Sequence, residues 1–171
     1  MAHAKVNDLR TRTDKSWAQL HGMEPHLDQS DRPGQWTTRE ILCHLLFEPG
    51  WKAVTELKSF ADKDLPVIDL NPGEMDVTPE RKAMTLRQFT DALESQRRDV
   101  MNYLEGLSES DLNRKARIPL FKEIKGIDEI DIPTFVGALF EYHWNDHAGQ
   151  LTKIRKAVGL PDAKEAATAT R

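Results

Sequence analysis

Trp36-Thr37-Thr38-Arg39-Glu40-Ile41-Leu42-Cys43-His44-Leu45 opens with a helix-start signal and carries a helical period behind it. Thr37 followed by Glu40 fits a capping box, in which the Thr side chain takes an amide of the first turn and the Glu reaches back to the cap amide. Ile41, His44, Leu45, Glu48, Trp51 and Thr55 then step by three or four, so one face carries apolar residues, a histidine and a glutamate. Pro49-Gly50 interrupts this segment. Proline inside a helix removes the bond to the carbonyl of Leu45 and clashes with it, which predicts a kink or a local break. The helix is expected to resume through Trp51, Val54, Leu57 and Phe60.

The same period extends to either side. A first helix is predicted from about Lys5 to Met23, with Val6, Leu9, Trp17 and Leu20 on one stripe and Thr13 bridging the gap. A loop rich in Pro, Asp, Ser and Gly follows, from Glu24 to Trp36. Beyond Phe60 the pattern dissolves from Ala61 to Met84, punctuated by Pro66, Asn71-Pro72-Gly73 and Thr78-Pro79, with a short helical turn expected at Pro79–Lys82. A connection of this length suggests a crossover or a lid. Thr85 and Gln88 form a second capping box, and Leu86, Phe89, Leu93, Gln96, Val100 and Leu104 run down a third helix. Ser108 is expected to cap a short helix through Leu112. Asn113 to Asp131 reads as irregular, with Ile118-Pro119-Leu120-Phe121 and Ile124 expected to pack on the helices. A fourth helix starts near Asp131 or Ile132, with Pro133 in its first turn. Its inward face is expected to carry Phe135, Leu139, Tyr142, His143, Asp146, His147, Gln150, Ile154 and Val158. Gly159 and Pro161 end it, with Lys153, Arg155 and Lys156 near its negative end. Neither an internal repeat nor a strand-like alternation is visible. The expectation is an all-α protein, a four-helix bundle with a long connection between helices 2 and 3, over residues 1–160, followed by a disordered tail, 161–171.

The chain has 171 residues, 39% hydrophobic and 30% charged, enough for one domain with a real core. The net charge of −4 and the absence of a basic stripe argue against nucleic acid as a partner. Cys43 is the one cysteine, so no intrachain disulfide forms. The start of the chain has no apolar stretch of the signal-peptide kind, and the run Phe135 to Phe140 is far too short to span a bilayer. A cytoplasmic protein without a membrane role is expected.

His143 and His147 stand four residues apart on the fourth helix. That spacing puts both imidazoles on one face, with Cβ atoms roughly 5–6 Å apart, within reach of one transition-metal ion at about 2.0–2.1 Å. Trp144 occupies the place that a glutamate holds in zinc proteases, so the pair does not signal a protease. His44 lies on the inner face of the second helix and supplies a third nitrogen. Three such ligands with an open fourth position describe a catalytic rather than a structural site. Glu48, one turn past His44, is placed to act as a base, a further ligand or a partner orienting an imidazole; a glutamate reaching solvent at the bend fits equally. Asp146 and Gln150 are candidates for holding a histidine tautomer. Cys43 projects away from His44 and reads as a small core residue. His3, His21 and His26 have no partner spacing.

The stretch Trp36 to Leu45 resembles the second-helix motif of the DinB/YfiT-like superfamily, in which a Trp and a capping hydroxyl residue precede a metal-binding histidine. Tyr142-His143-Trp144-Asn145-Asp146-His147-Ala148-Gly149-Gln150-Leu151 is similar to the fourth-helix motif of the same family, and Leu107 to Leu112 matches a short segment usual between them. The resemblance implies a four-helix bundle holding a divalent metal, zinc or nickel first, on His44, His143 and His147. It implies an enzyme acting on a small molecule and often forming a homodimer. S-transfer with a low-molecular-weight thiol is the first expectation; a metal-dependent hydrolase, or a non-catalytic small-molecule-binding bundle of the self-resistance type, is the alternative. Glu48 and Asp146 are the expected proton carriers. Pro49-Gly50 departs from the family pattern directly beyond the first histidine.

Overall fold

Thr13 closes the first helix earlier than its apolar stripe suggests. In the computed structural model, which describes residues 2–14, 17–62, 64–70 and 76–163, α1 spans Ala2–Thr13 with Val6, Leu9 and Thr13 buried. The Thr13 hydroxyl donates back to the carbonyl of Leu9 at 2.8 Å. Trp17 then stands at φ 52, a left-handed conformation rare for a bulky side chain, and a 3-10 turn, Ala18–Leu20, follows. The helix expected to reach Met23 is therefore two pieces, because a left-handed residue cannot continue a right-handed helix.

The capping chemistry reads out as expected. α2 spans Thr38–Leu45; the Thr37 hydroxyl accepts from the Glu40 amide at 3.2 Å, and the Thr37 amide donates to the Glu40 carboxylate at 2.7 Å. The break announced by Pro49 is complete. Phe47 lies at φ 58, and the next helix, α3, begins only at Ala53, spanning Ala53–Asp62. Residues before proline are pushed out of the helical region, so Glu48 cannot continue the turn that carries His44. The short α4, Pro79–Lys82, is capped by Thr78. α5 spans Leu86–Glu105 behind the reciprocal bonds of Thr85 and Gln88, and Phe89, Leu93, Val100 and Leu104 are buried along it. Ser108 caps α6, Glu109–Leu112, with Asp111 completing the box.

The segment read as irregular contains two strands that the pattern did not show. β1, Lys115–Arg117, pairs antiparallel with β2, Glu129–Asp131, and α7, Pro119–Lys125, lies between them. Each strand has three residues and one buried side chain, Ala116 or Ile130, which is too little to establish an alternation. Val67 bridges in parallel to Arg117. Ile118 is buried, while Ile124 is exposed.

The last helix is continuous but not uniform. α8, Ile132–Gly137, is capped by Asp131 with Pro133 in the first turn; a π-helical turn, Ala138–Tyr142, follows; α9 spans His143–Ala157. A π turn takes in more residues per turn than the α-helix, so the buried stripe slips by roughly one position. Phe140 and Trp144 are therefore buried, and Tyr142, expected inward, is exposed. Gly159, at φ 78, ends the helix where expected. The tail expected to be disordered lies, from residue 164 onward, outside the described residues, as does the expected turn at Asn71-Pro72-Gly73; Ala163 is buried.

The chain divides into two compact units. In the first, built from Met1–Asp14, Gly50–Glu74 and Ser95–Tyr142, α1 packs on α8, Phe60 meets Phe135 at 5.6 Å between ring centres, and Arg12 pairs with Glu141. In the second, built from Lys15–Pro49, Met75–Glu94 and His143–Arg171, α2 and the 3-10 turn pack on α9. Two buried arginines tie this second unit together. Arg39 holds Asp28 in a fork at 2.6 and 3.1 Å, donates to the carbonyls of Met84 at 2.9 Å and Arg81 at 3.3 Å, and lies over the ring of Phe89. Arg155 donates to the carbonyls of Gln19, His21 and Pro161. Among the described residues no helix is long and apolar enough to cross a membrane.

Arg39 and Asp28 are not equal partners, because the Asp28 side chain is 73% exposed and that of Arg39 is 10% exposed. Arg39→Met takes the guanidinium from Asp28 and from the half-buried carbonyls of Met84 and Arg81, of which the second keeps the Met84 amide as a donor, so about 1–3 kcal/mol of stability is expected to be lost. Asp28→Asn, a change at an exposed site, is expected to cost about 1 kcal/mol or less. Urea unfolding of the two variants checks this order, and equal losses would contradict it.

Candidate metal centre

α2 and α9 pack together, and each presents histidine at the contact. His44 lies in the last turn of α2; His143 and His147 occupy the first and second turns of α9. The Nε2 atoms of His143 and His44 are 2.8 Å apart. Ring centres are separated by 4.8 Å in all three pairs, and the rings meet edge to face, at 84° for His44 with His143, 67° for His44 with His147 and 74° for His143 with His147. One nitrogen from each ring lies within 4.8 Å of the other two.

The tautomer of His147 is set by a neighbour one turn on. Gln150 Oε1 accepts from Nδ1 of His147 at 2.9 Å, which leaves the Nε2 lone pair for another partner. His147 is buried and His143 half-buried, and both resist protonation. Burial pushes the pKa of His143 down to about 3, with the nearby His147 and His44 acting in the same sense. Burial also lowers His147, against the opposing effects of Gln150 and Asp146. Neutral imidazole is the form that binds metal.

These nitrogens fit a divalent transition-metal ion. Two imidazole nitrogens at about 2.0–2.1 Å from a tetrahedral ion lie roughly 3.3 Å apart. The separations here run from 2.8 Å to at most 4.8 Å, so small ring movements bring all three to that value. A three-nitrogen set leaves at least one coordination position for a reactant.

The two carboxylates expected at the site are placed differently from the histidines. Glu48 is exposed in the bend after α2, outside the three-histidine group, because the helix stops at Leu45. Asp146 is also exposed, on a neighbouring face of α9, and acts on His147 through its charge. Cys43 is fully buried, as expected of a core residue, and burial raises its thiol pKa. Trp144 is buried against Trp17 at 4.7 Å between ring centres. Sequence reasoning passed over two rings beside the site. Trp36 stacks on His147, and Phe47 lies against His143. The position of Trp36, directly before the cap of the helix bearing His44, was the available signal.

No protein-family model matches the sequence, and no curated protein matches it. Among solved structures, YfiT from Bacillus subtilis shares the fold, with a TM-score of 0.62 and 18% sequence identity, over 94% of this chain and 89% of its own. That protein is described as a probable metal-dependent hydrolase with an unusual four-helix bundle topology. The chain is thus all-α with the fold of a four-helix bundle, in agreement with the helical periods and with the resemblance carried by the two histidine motifs.

The histidines make the stability of the metal-free protein depend on pH. The unfolded chain takes up a proton at His143 near 6.5, whereas the folded chain refuses it until about 3. Stability from this group is complete above 6.5 and falls as the pH drops, by up to about 1.4 kcal/mol per pH unit. His147 acts in the same direction. Asp28, held down by its bond to Arg39, adds slope only around and below its usual 3.8. Urea midpoints in chelator are therefore expected to fall between pH 6.5 and 4.5, and less so in His143→Leu; a flat wild-type profile overturns the assignment. Gln150→Leu frees the His147 tautomer and is expected to weaken metal binding about 10–100-fold, read by chelator competition.

Proposed function

We propose that this protein is a divalent-metal-dependent enzyme in which His44, His143 and His147 hold the ion. The convergence of three ring nitrogens within 4.8 Å, two of them on imidazoles kept neutral by burial, is the observation that carries the reading. A divalent ion bound there supplies Lewis acidity and makes a nucleophile of water or a thiol near neutral pH. Zinc and nickel both suit an all-imidazole donor set.

Hydrolysis of a small molecule is the reaction class we favour, because a protein of the same fold is described as a probable metal-dependent hydrolase. Thiol-dependent S-transfer is the second reading and is supported by the resemblance of the motifs at Trp36–Leu45 and Tyr142–Leu151. In either reaction a proton has to move between reactant and solvent. Glu48, four residues past His44, and Asp146, beside His147, are exposed carboxylates near the ligands in sequence, and their exposure lets them exchange protons with water. Gln150 keeps His147 in the tautomer that presents Nε2.

Metal content tests the first part. Purified without an affinity tag, the wild type is expected to carry about one ion per chain by mass spectrometry, and His143→Ala to carry little. Equal trace amounts in both proteins would remove the metal centre. Turnover tests the second part. Metal-loaded protein is incubated with activated esters and amides, and with electrophiles plus cellular thiols. Product formed without thiol marks hydrolysis; a strict thiol requirement marks transfer. Glu48→Gln and Asp146→Asn are each expected to keep the metal and to slow turnover by about a hundredfold.

A further inference from the structure

Two aromatic rings that cannot ligate an ion lie against the three that can. Trp36, just ahead of the Thr37 cap, is parallel to His147 within 10° at 6.0 Å between ring centres. The same indole is tilted by 58° on His44 at 5.0 Å. Phe47, two residues past the end of α2, is tilted by 39° on His143 at 5.9 Å. Every imidazole of the group thus faces a tryptophan or a phenylalanine.

The backbone on both sides serves this arrangement. The capping box of Thr37 and Glu40 fixes the start of α2, and with it the residue that carries the indole. At the other end Phe47 stands at φ 58, a conformation that glycine adopts freely and a phenylalanine adopts under strain. A bulky ring stands where a glycine would meet no strain.

We propose that Trp36 and Phe47 form an aromatic collar that positions the imidazoles of His44, His143 and His147 for a divalent ion, a role that rests on the metal reading above. A lone imidazole turns about two side-chain torsions, and an ion requires three lone pairs aimed at one point. Contact with a fixed ring removes much of that freedom before the ion arrives, so less ordering is left for binding to impose. The rings also replace water beside the nitrogens and strengthen the field of any charge placed there. Trp36 and Phe47 are therefore positioning residues, acting on the ion through the histidines.

The test separates positioning from packing. Zinc and cobalt affinities of the full chain are measured by chelator competition, and unfolding midpoints are measured in chelator. Phe47→Gly removes the ring and relieves the backbone, which offsets part of the packing and chain entropy it costs, so its metal-free midpoint is expected to stay close to that of the wild type while its affinity falls about tenfold or more. Trp36→Leu is expected to lose affinity to a similar degree, and Trp36→Phe to regain most of it. The visible spectrum of the cobalt form is expected to change in Phe47→Gly and Trp36→Leu and to return toward the wild type in Trp36→Phe. Wild-type affinity and spectrum in both truncated variants would overturn the collar and leave the metal centre standing. Affinity losses that only follow losses of metal-free stability would also overturn it. A wild type that binds neither ion would overturn the metal reading, and the collar with it.

Discussion

Three imidazoles share one small space, and for two of them, His143 and His147, protonation there is unfavourable. Burial removes the water that would solvate a cation on either, His147 and His44 repel a charge on His143, and His44 repels one on His147. Nε2 of His143 and Nε2 of His44 share a hydrogen bond at 2.8 Å, one ring donating to the other, and a metal ion would take the place of that shared proton. Much of the surrounding structure serves to keep these rings together. α2 and α9 meet where they must, Gln150 occupies the outer nitrogen of His147, and Trp36 covers two rings at once.

Holding such a group requires a frame that does not yield to it. Arg39, in the first turn of the helix that ends at His44, connects that helix to Asp28 on one side and to the end of α4 on the other. One residue thereby links the start of α2, the preceding loop and the segment leading into α5. The polar atoms of its guanidinium are matched to a carboxylate and to carbonyls, which is the condition under which a buried charge is tolerated. The site is carried on helices rather than on loops, with the precision that implies.

What the sequence shows and what it hides divide along a physical line. Capping is local chemistry over three residues, and Thr37, Thr85, Thr78, Ser108 and Asp131 all begin helices where their side chains say so. The spacing of His143 and His147 is also local, and His44 follows from the face it shares with Ile41 and Leu45. Left-handed residues are different, because nothing in the side chain of Trp17 or Phe47 calls for a positive φ; packing imposes it. The π turn before His143 and the three-residue strands around α7 involve too few residues to leave a period. Glu48 stood open between the site and solvent for the same reason: the proline announces a break, and the sequence does not say how far back the helix unwinds. The contacts of Trp36 join a loop to α9, more than a hundred positions away, and no pattern within one helix records them.

The end of α9 behaves unlike its beginning. Arg155 anchors it through the carbonyls of Gln19, His21 and Pro161. Carbonyl oxygens have no proton to gain across the range in which the histidines titrate, and a guanidinium has none to lose. The distal anchor is thus blind to acidity, while the histidine end of the same helix senses it. Acid strong enough to charge His143 and His147 therefore acts on the metal-binding turn of α9 and leaves the bonds of Arg155 at its far end unaltered.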